Sequence, residues 1–235
     1  MVPWKRLDSA VIPGGGELQL MQRGREFSIM LGQTELMNSR ITGSEKALAA
    51  LACKRIGPNE RPEVLIGGLG MGFTLRAALS ELGASARIVV AELVPAVVRW
   101  ARGPLAELFG SSLADPRVTL HEADVSRVMK RSKSAYAAIL LDVDNGPEGL
   151  TRESNQRLYD VRGLKAARAA LRPGGVLAVW SSGPDRSFSK RLRQTGFETE
   201  EVSIRANGAR GGRHVVWLAT SPDVSRRERT QGARA

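Results

Sequence analysis

Short apolar runs alternate along this chain with stretches whose apolar residues recur at helical spacing. Val64-Leu65-Ile66 predicts a strand, residues 73–82 a helix, and Ile88-Val89-Val90-Ala91 a second strand ending on Glu92. The alternation continues with a helix over 95–102, a strand over 118–124 and a short helix over 126–131. A strand over 137–142 and a long helix over 151–171 follow, the helix carrying Leu158, Val161, Leu164, Ala167 and Leu171 on one side. Arg172-Pro-Gly-Gly175 reads as a stop and turn before a strand over 176–180, and 187–195 as a helix. Residues 199–204 and 214–219 predict a closing antiparallel pair. Continuous apolar strands separated by helices indicate a parallel sheet covered on both faces, here with an antiparallel edge.

Upstream the period changes. Residues 17–21 and 26–31 alternate like strands around Gln22-Arg-Gly-Arg25, a β-hairpin with Gly24 at the turn. Residues 32–43 are polar and read as a crossing segment, and a helix over 44–56 follows, with Ser44 as its cap. The expected division is an N-terminal β-hairpin unit over 1–45, a cofactor-binding domain over 46–221 and a basic flexible tail over 222–235.

The candidate chemistry sits at strand ends. Gly67, Gly68, Gly70 and Gly72 follow the first central strand, where glycines let a ligand lie against bare main chain and the next helix offers free N–H groups. Glu92 lies about 20 residues further on, where a carboxylate can accept from both hydroxyls of a ribose. Asp124 and Asp142 end the third and fourth strands. In an open α/β sheet that edge binds ligands, although a strand-end Asp such as Asp124 also serves as a helix cap.

Composition narrows the setting. Lys and Arg number 35 against 24 Asp and Glu, a net charge of +11. That admits nucleic acid as a partner, but aromatic residues are 5% and no base-stacking motif supports it. The lone Cys53 fits a reducing, cytoplasmic setting and reads as a core residue. No leader peptide, membrane span or metal cluster is expected, and His121, His214, Trp100 and Trp180 read as structural. A homodimer is left open.

The segment VLIGGLGMGFTLRAAL resembles the glycine motif of spermidine synthases, which typically reads GGGDGG. AYAAILLDVDNGPEGL resembles that family's strand running into D-x-x-D-P-x-G-P, and the turn Leu171-Arg-Pro-Gly-Gly-Val176 fits as well. The resemblance spans roughly residues 17–219. It implies an α/β fold with a Rossmann-like, methyltransferase-type sheet. It also implies a transferase moving an aminopropyl group from decarboxylated S-adenosylmethionine to a small amine or polyamine. Glu92 would hold the ribose, Asp124 with Ala123 the adenine, and Gly68 to Gly72 the sulfonium tail, with Gly67 also on the cofactor side. Asp142 would act as the base toward the amine, with Asp144 and Glu45 on the acceptor side. Three features depart from the family. The glycine loop has Gly70-Met71 where the family carries an Asp. The acidic segment is one residue shorter. Residues 36–44 lack the family's Tyr and His. A methyltransferase using intact S-adenosylmethionine, and a nucleoside-binding protein without activity, are therefore carried as alternatives.

Overall fold

The computed structural model describes residues 2–13, 15–56, 61–143, 146–147, 153–207 and 210–223. Its centre is a 7-stranded sheet: β5 (Glu63–Gly67), β6 (Arg87–Glu92), β7 (Val118–Glu122), β8 (Tyr136–Leu141), β9 (Leu171–Ser181), β10 (Glu198–Asn207) and β11 (Arg210–Thr220). The strand order is β10-β11-β9-β8-β5-β6-β7. Strands β5 to β9 run parallel, while β11 pairs antiparallel with both β9 and β10. The expected sheet and its antiparallel edge are therefore present. From β5 the chain moves outward through β6 and β7, then returns to the other side of β5 for β8 and β9. The order reverses at β5, and a crevice opens there at the carboxyl ends of the strands.

The period of two along each strand sorts side chains onto two faces. Val64 and Ile66 of β5, Ala138 and Leu140 of β8, and Val176, Ala178 and Trp180 of β9 pack on one face. Leu65, Ile139, Leu141, Leu177 and Val179 pack on the other. The first face is covered by α1 (Gly43–Ile56), α2 (Phe73–Glu81) and α3 (Pro95–Arg102). The second is covered by α5 (Val125–Arg131), α6 (Glu153–Tyr159), α7 (Val161–Ala170) and α8 (Arg186–Gln194). All six residues of β8 are buried, as a doubly covered strand requires. Each large aliphatic side chain among them contributes about 1.5–3 kcal/mol by leaving water.

The N-terminal strands are β1 (Lys5–Val11), β2 (Glu17–Arg23), β3 (Glu26–Leu31) and β4 (Thr34–Asn38), in one antiparallel sheet. The expected hairpin is β2–β3. Flanking strands β1 and β4 were not anticipated, and β4 occupies the segment read as a polar crossing. Leu18, Leu20 and Ile29 of this sheet join the same core as α1 to α3. The Trp100 indole N–H donates to Asp8 Oδ2 at 2.6 Å and ties β1 to α3.

Two further differences have local causes. The long helix expected over 151–171 is two helices. Asp160 breaks it by accepting from the Gly163 N–H at 2.7 Å and capping α7. Gly163 has no room for a Cβ, because the carbonyls of Arg157 and Leu158 press against it. The turn expected at 172–175 is a wide bulge inside β9, where pairing with β8 jumps from Leu171 to Val176. A short α4 (Ala106–Phe109) and a single 3-10 turn (Ser112–Ala114) complete the described elements. Among the described residues no helix is long and apolar enough to cross a membrane. Most of the basic tail, 224–235, lies outside the described residues.

Candidate active site

A cavity of about 330 Å³ lies over the carboxyl edge of the sheet. Its floor comes from the loops after β5, β6, β7 and β8. Its roof comes from the N-terminal sheet and the start of α1, through Ile12, Leu18, Ile29, Leu31 and Met37. Gly68, Gly70, Glu92, Asp124, Asp142 and Glu45, separated by up to 97 positions in sequence, all line it.

The glycine loop is shaped by close contact on both sides. Gly68 has φ 92°, and a Cβ there would strike the backbone carbonyl of Asp142. Only glycine lets the loop press against the end of β8. At Gly70 a Cβ would sit 2.7 Å from the Met37 sulfur, and the Met71 N–H donates to that sulfur at 3.2 Å. Met37 of β4 thus caps the loop where the resembled family places an Asp. Gly67 and Gly72 do not line the cavity. Gly67 ends β5 against Val125 and Leu141, and Gly72 precedes α2 beneath the Phe109 ring.

Glu92, 7% exposed, is held almost wholly by main chain. Its Oε2 accepts from the Leu69 N–H at 2.9 Å and its Oε1 from the Val94 N–H at 2.8 Å. Burial pushes its pKa up, while the N–H groups of Leu69, Val94, Gly70 and Leu93 hold it back. Asp124 accepts from the Ser126 N–H at 2.7 Å and caps α5 while lining the cavity.

Asp142 differs from Glu92. Its Oδ2 accepts from the Thr74 hydroxyl at 2.6 Å. Desolvation, then the facing charge of Glu45, push its pKa up to about 7. Glu45, in the first turn of α1, is buried and accepts from the Ser44 hydroxyl at 2.7 Å. Burial raises its pKa as well. Two facing carboxyls in one cavity resist ionising together, so the pair retains a proton near neutral pH. Asp144, expected on the acceptor side, lies outside the described residues.

Two residues read as structural also face the cavity. Trp180 packs edge-on against His214, ring centroids 4.9 Å apart, and both line the wall beyond Asp142. The apolar context of Trp180 in β9 and the position of His214 at a strand start concealed this. Only the strand order, which sets β11 beside β9, reveals it. Trp100 is a core residue as expected. Burial pushes the half-buried Cys53 thiol up to about 12, which leaves it un-ionised. Among the described residues no cluster of His, Cys, Asp and Glu is arranged to hold a metal ion.

Comparison with known proteins identifies the family and the fold. Residues 46–187 match the spermine/spermidine synthase domain model. The chain is 32% identical over 156 residues to polyamine aminopropyltransferase 1 of Streptomyces coelicolor, covering 63% of this chain and 28% of that protein. It is 34% identical over 125 residues to polyamine aminopropyltransferase 2 of Pseudomonas aeruginosa, covering 52% of this chain and 34% of that protein. The chain thus matches only about a third of the length of these relatives. The fold superposes on spermidine synthase from Thermotoga maritima with a TM-score of 0.73 at 18% identity, over 93% of this chain and 74% of that one. A spermidine synthase bound to the transition state analogue AdoDATO superposes with a TM-score of 0.72 at 18% identity, over 93% of this chain and 73% of that one. With more than half its length matched by the domain model, this chain belongs to the spermine/spermidine synthase family.

Proposed function

We propose that this chain is an aminopropyltransferase that moves the aminopropyl group of decarboxylated S-adenosylmethionine to an amine acceptor. The observation that carries the reading is the meeting, in one cavity, of a glycine loop organised by Glu92 with the facing acids Glu45 and Asp142. The names of the aminopropyltransferase relatives point the same way.

The residues present fit the nucleoside. Gly68 and Gly70 leave bare main chain, and Glu92 lines the cavity where it would meet the ribose hydroxyls. Ala123 and Asp124 would meet the adenine amino group, with Leu93, Val94, Val97 and Val125 supplying apolar wall. When bound, decarboxylated S-adenosylmethionine supplies a sulfonium whose adjoining propyl carbon is open to an amine. The chain's own groups act on that amine. An ammonium entering between Glu45 and Asp142 favours the ionised form of both. Asp142, with a pKa raised to about 7, is matched to accept the ammonium's proton near neutral pH. The Thr74 hydroxyl holds one Asp142 oxygen and so fixes the orientation of the carboxylate. The contact of Gly68 with the Asp142 main chain keeps this base beside the loop that would carry the sulfonium.

One observation favours methyl transfer with intact S-adenosylmethionine as the second reading. Gly70 brings no carboxylate to the loop, and a carboxylate there would repel that of the intact cofactor. Calorimetric titration with S-adenosylmethionine, its decarboxylated form and methylthioadenosine separates the two. The proposal expects the decarboxylated form to bind tighter than the intact one, and a mixed amine pool to gain aminopropyl groups by mass spectrometry. Tighter binding of the intact cofactor with methylated products would install the second reading, and binding of none would remove both.

A further inference from the structure

The basic residues of this chain are not spread evenly. Helices α5, α7 and α8, which cover the second face of the sheet, carry three, three and four Lys or Arg and no Asp or Glu. These helices alone hold a surplus close to the whole net charge of +11. The acids beside them, Asp124, Asp160 and Asp185, are occupied as caps at the N-terminal end of each helix.

The charge converges on an open cleft of about 580 Å³ between the C-terminal halves of α5 and α7. Lys130 and Lys133 line it from the end of α5 and the turn beyond, and Lys165 and Arg168 line it from α7. Ser134 before β8 and Leu171 at the start of β9 place it at the amino edge of the sheet, opposite the cavity of the candidate active site. No Asp, Glu, Asn or Gln is among its described lining. Lys130, Lys133 and Lys165 are exposed, and none of them is in an ion pair among the described residues. Arg168 is anchored by donating to the Thr195 carbonyl at 3.1 Å, just past α8. Arg193, in the last turn of α8, continues the row of basic helix ends. A helix C-terminus attracts cations, but its partial charge is about half a unit. Two such ends balance about one of the four positive charges in the cleft.

Like charges held together repel, and a polyanion relieves that repulsion. Neighbouring helices pack about 8–10 Å apart, so one small anion does not reach all three. A run of phosphates does. Single strands are held by stacking their bases on aromatic rings, and Tyr136, Tyr159 and Phe188 of this layer are buried. The 2′-hydroxyl that marks RNA is both donor and acceptor, and the cleft presents no carboxylate or amide side chain to accept from it. A membrane surface is gripped by inserted apolar side chains, and Val161 is the one large exposed hydrophobic residue on these helices.

We propose that this cleft and the basic ends of α5, α7 and α8 form a docking surface for double-stranded DNA, held through its phosphates without sequence preference. Lys130, Lys133, Lys165 and Arg168 each neutralise a phosphate, and the cavity on the opposite edge of the sheet stays open. The surface is additional to amine transfer and does not depend on it.

Fluorescence anisotropy of a labelled mixed-sequence DNA duplex, titrated with the full chain over a range of salt, tests it. Four phosphate contacts give a slope of log affinity against log salt of about −3 to −4, so raising salt from about 50 to about 200 mM should weaken binding about 100-fold. Lys130→Gln combined with Lys165→Gln should reduce the slope by about 2 and leave the melting temperature in place. Lys54→Gln combined with Arg102→Gln, exposed on α1 and α3 over the other face, should leave DNA binding unchanged. Replacing Arg226, Arg227 and Arg229 of the C-terminal segment by Gln should weaken binding less than the cleft pair does. A salt slope near zero, equal weakening by the α1 and α3 pair, or a greater loss from the C-terminal arginines would overturn the inference. Tighter binding of duplex RNA, of a single-stranded oligonucleotide or of phosphatidylserine vesicles would overturn it too.

Discussion

Replacing Asp142 by Asn separates a catalytic carboxyl from a structural one, because it should make the protein more stable and less active together. The Asn side-chain carbonyl can still accept from the Thr74 hydroxyl, so the local geometry has a way to persist. What is lost is the charge. In the wild type the native pKa of Asp142 is raised from 3.8 to about 7. As pH rises from about 4 to 7, the unfolded chain releases this proton while the native protein keeps it. Wild-type stability therefore falls across that window and levels off above it. The full shift corresponds to about 4 kcal/mol at 1.36 kcal/mol per unit. Because the retained proton is shared with Glu45, about half of that, ~2 kcal/mol, is assigned to removing one partner. Urea denaturation should show the variant and wild type alike near pH 4 and the variant ahead by ~2 kcal/mol at pH 8. Turnover should fall about 100-fold or more, with nucleoside affinity within a few-fold, as expected on removing a positioned base. Wild-type turnover should rise as pH passes through about 7. A variant less stable than wild type at pH 8 would show that the charge is structurally paired and refute the reasoning.

Other outcomes follow from single contacts. Glu92→Gln should lower stability by about 1–3 kcal/mol, because one of the Leu69 and Val94 N–H groups then meets a donor; calorimetry should also show weaker methylthioadenosine binding. Gly72→Ala should lower the melting temperature by several degrees, since φ is 79° and the added Cβ meets the Phe109 ring. Thr74→Val should leave the fold intact but release the Asp142 carboxylate, which reads out as a raised pKa in the pH–rate profile with little change in nucleoside affinity. Gly70→Asp combined with Met37→Ala should shift the ratio of affinities toward decarboxylated over intact S-adenosylmethionine, because it removes the sulfur that fills the Cβ position and adds a carboxylate to the loop.

The central sheet was legible because its strands are apolar on both faces and the helices between them are amphipathic. Residues 95–102 are α3 to the residue, and the ends of β5, β6 and β8 fall within one or two positions of the apolar runs. The failures lie where tertiary contact overrides local pattern. Strand β4 carries Glu35 and Asn38, which look like loop residues. In the fold the Ser28 hydroxyl and the Asn38 amide donate to Glu35 at 2.8 Å each, satisfying groups that would otherwise argue against a strand. The break at Asp160 was hidden because the apolar face runs through it from Leu158 to Leu164. Gathering Glu92, Asp124 and Asp142 on one edge needs only strand polarity and was readable. Placing Trp180 and His214 beside them needs the strand order, which periodicity does not encode.

Glu92 ends β6 and Asp142 follows β8, the parallel strands on either side of β5, and both line one cavity, yet their surroundings differ. Both are desolvated. Glu92 collects main-chain N–H groups from Leu69, Gly70, Leu93 and Val94, all of them donors to the ionised form. Those bonds oppose the burial without overcoming it, since the pKa is still raised, and the carboxylate in turn pins the glycine loop that would receive the nucleoside. Asp142 has one hydroxyl donor in Thr74 and a second acid opposite. Burial and that second acid outweigh the one donor, so its proton affinity rises to the range where proton transfer from an amine is productive. On the proposed reading, the fixed donors around each acid, rather than its place in the sequence, would divide holding from chemistry. It follows that Glu92→Gln should cost stability, because the amide N–H group is set against the main-chain donors, while Asp142→Asn should add it.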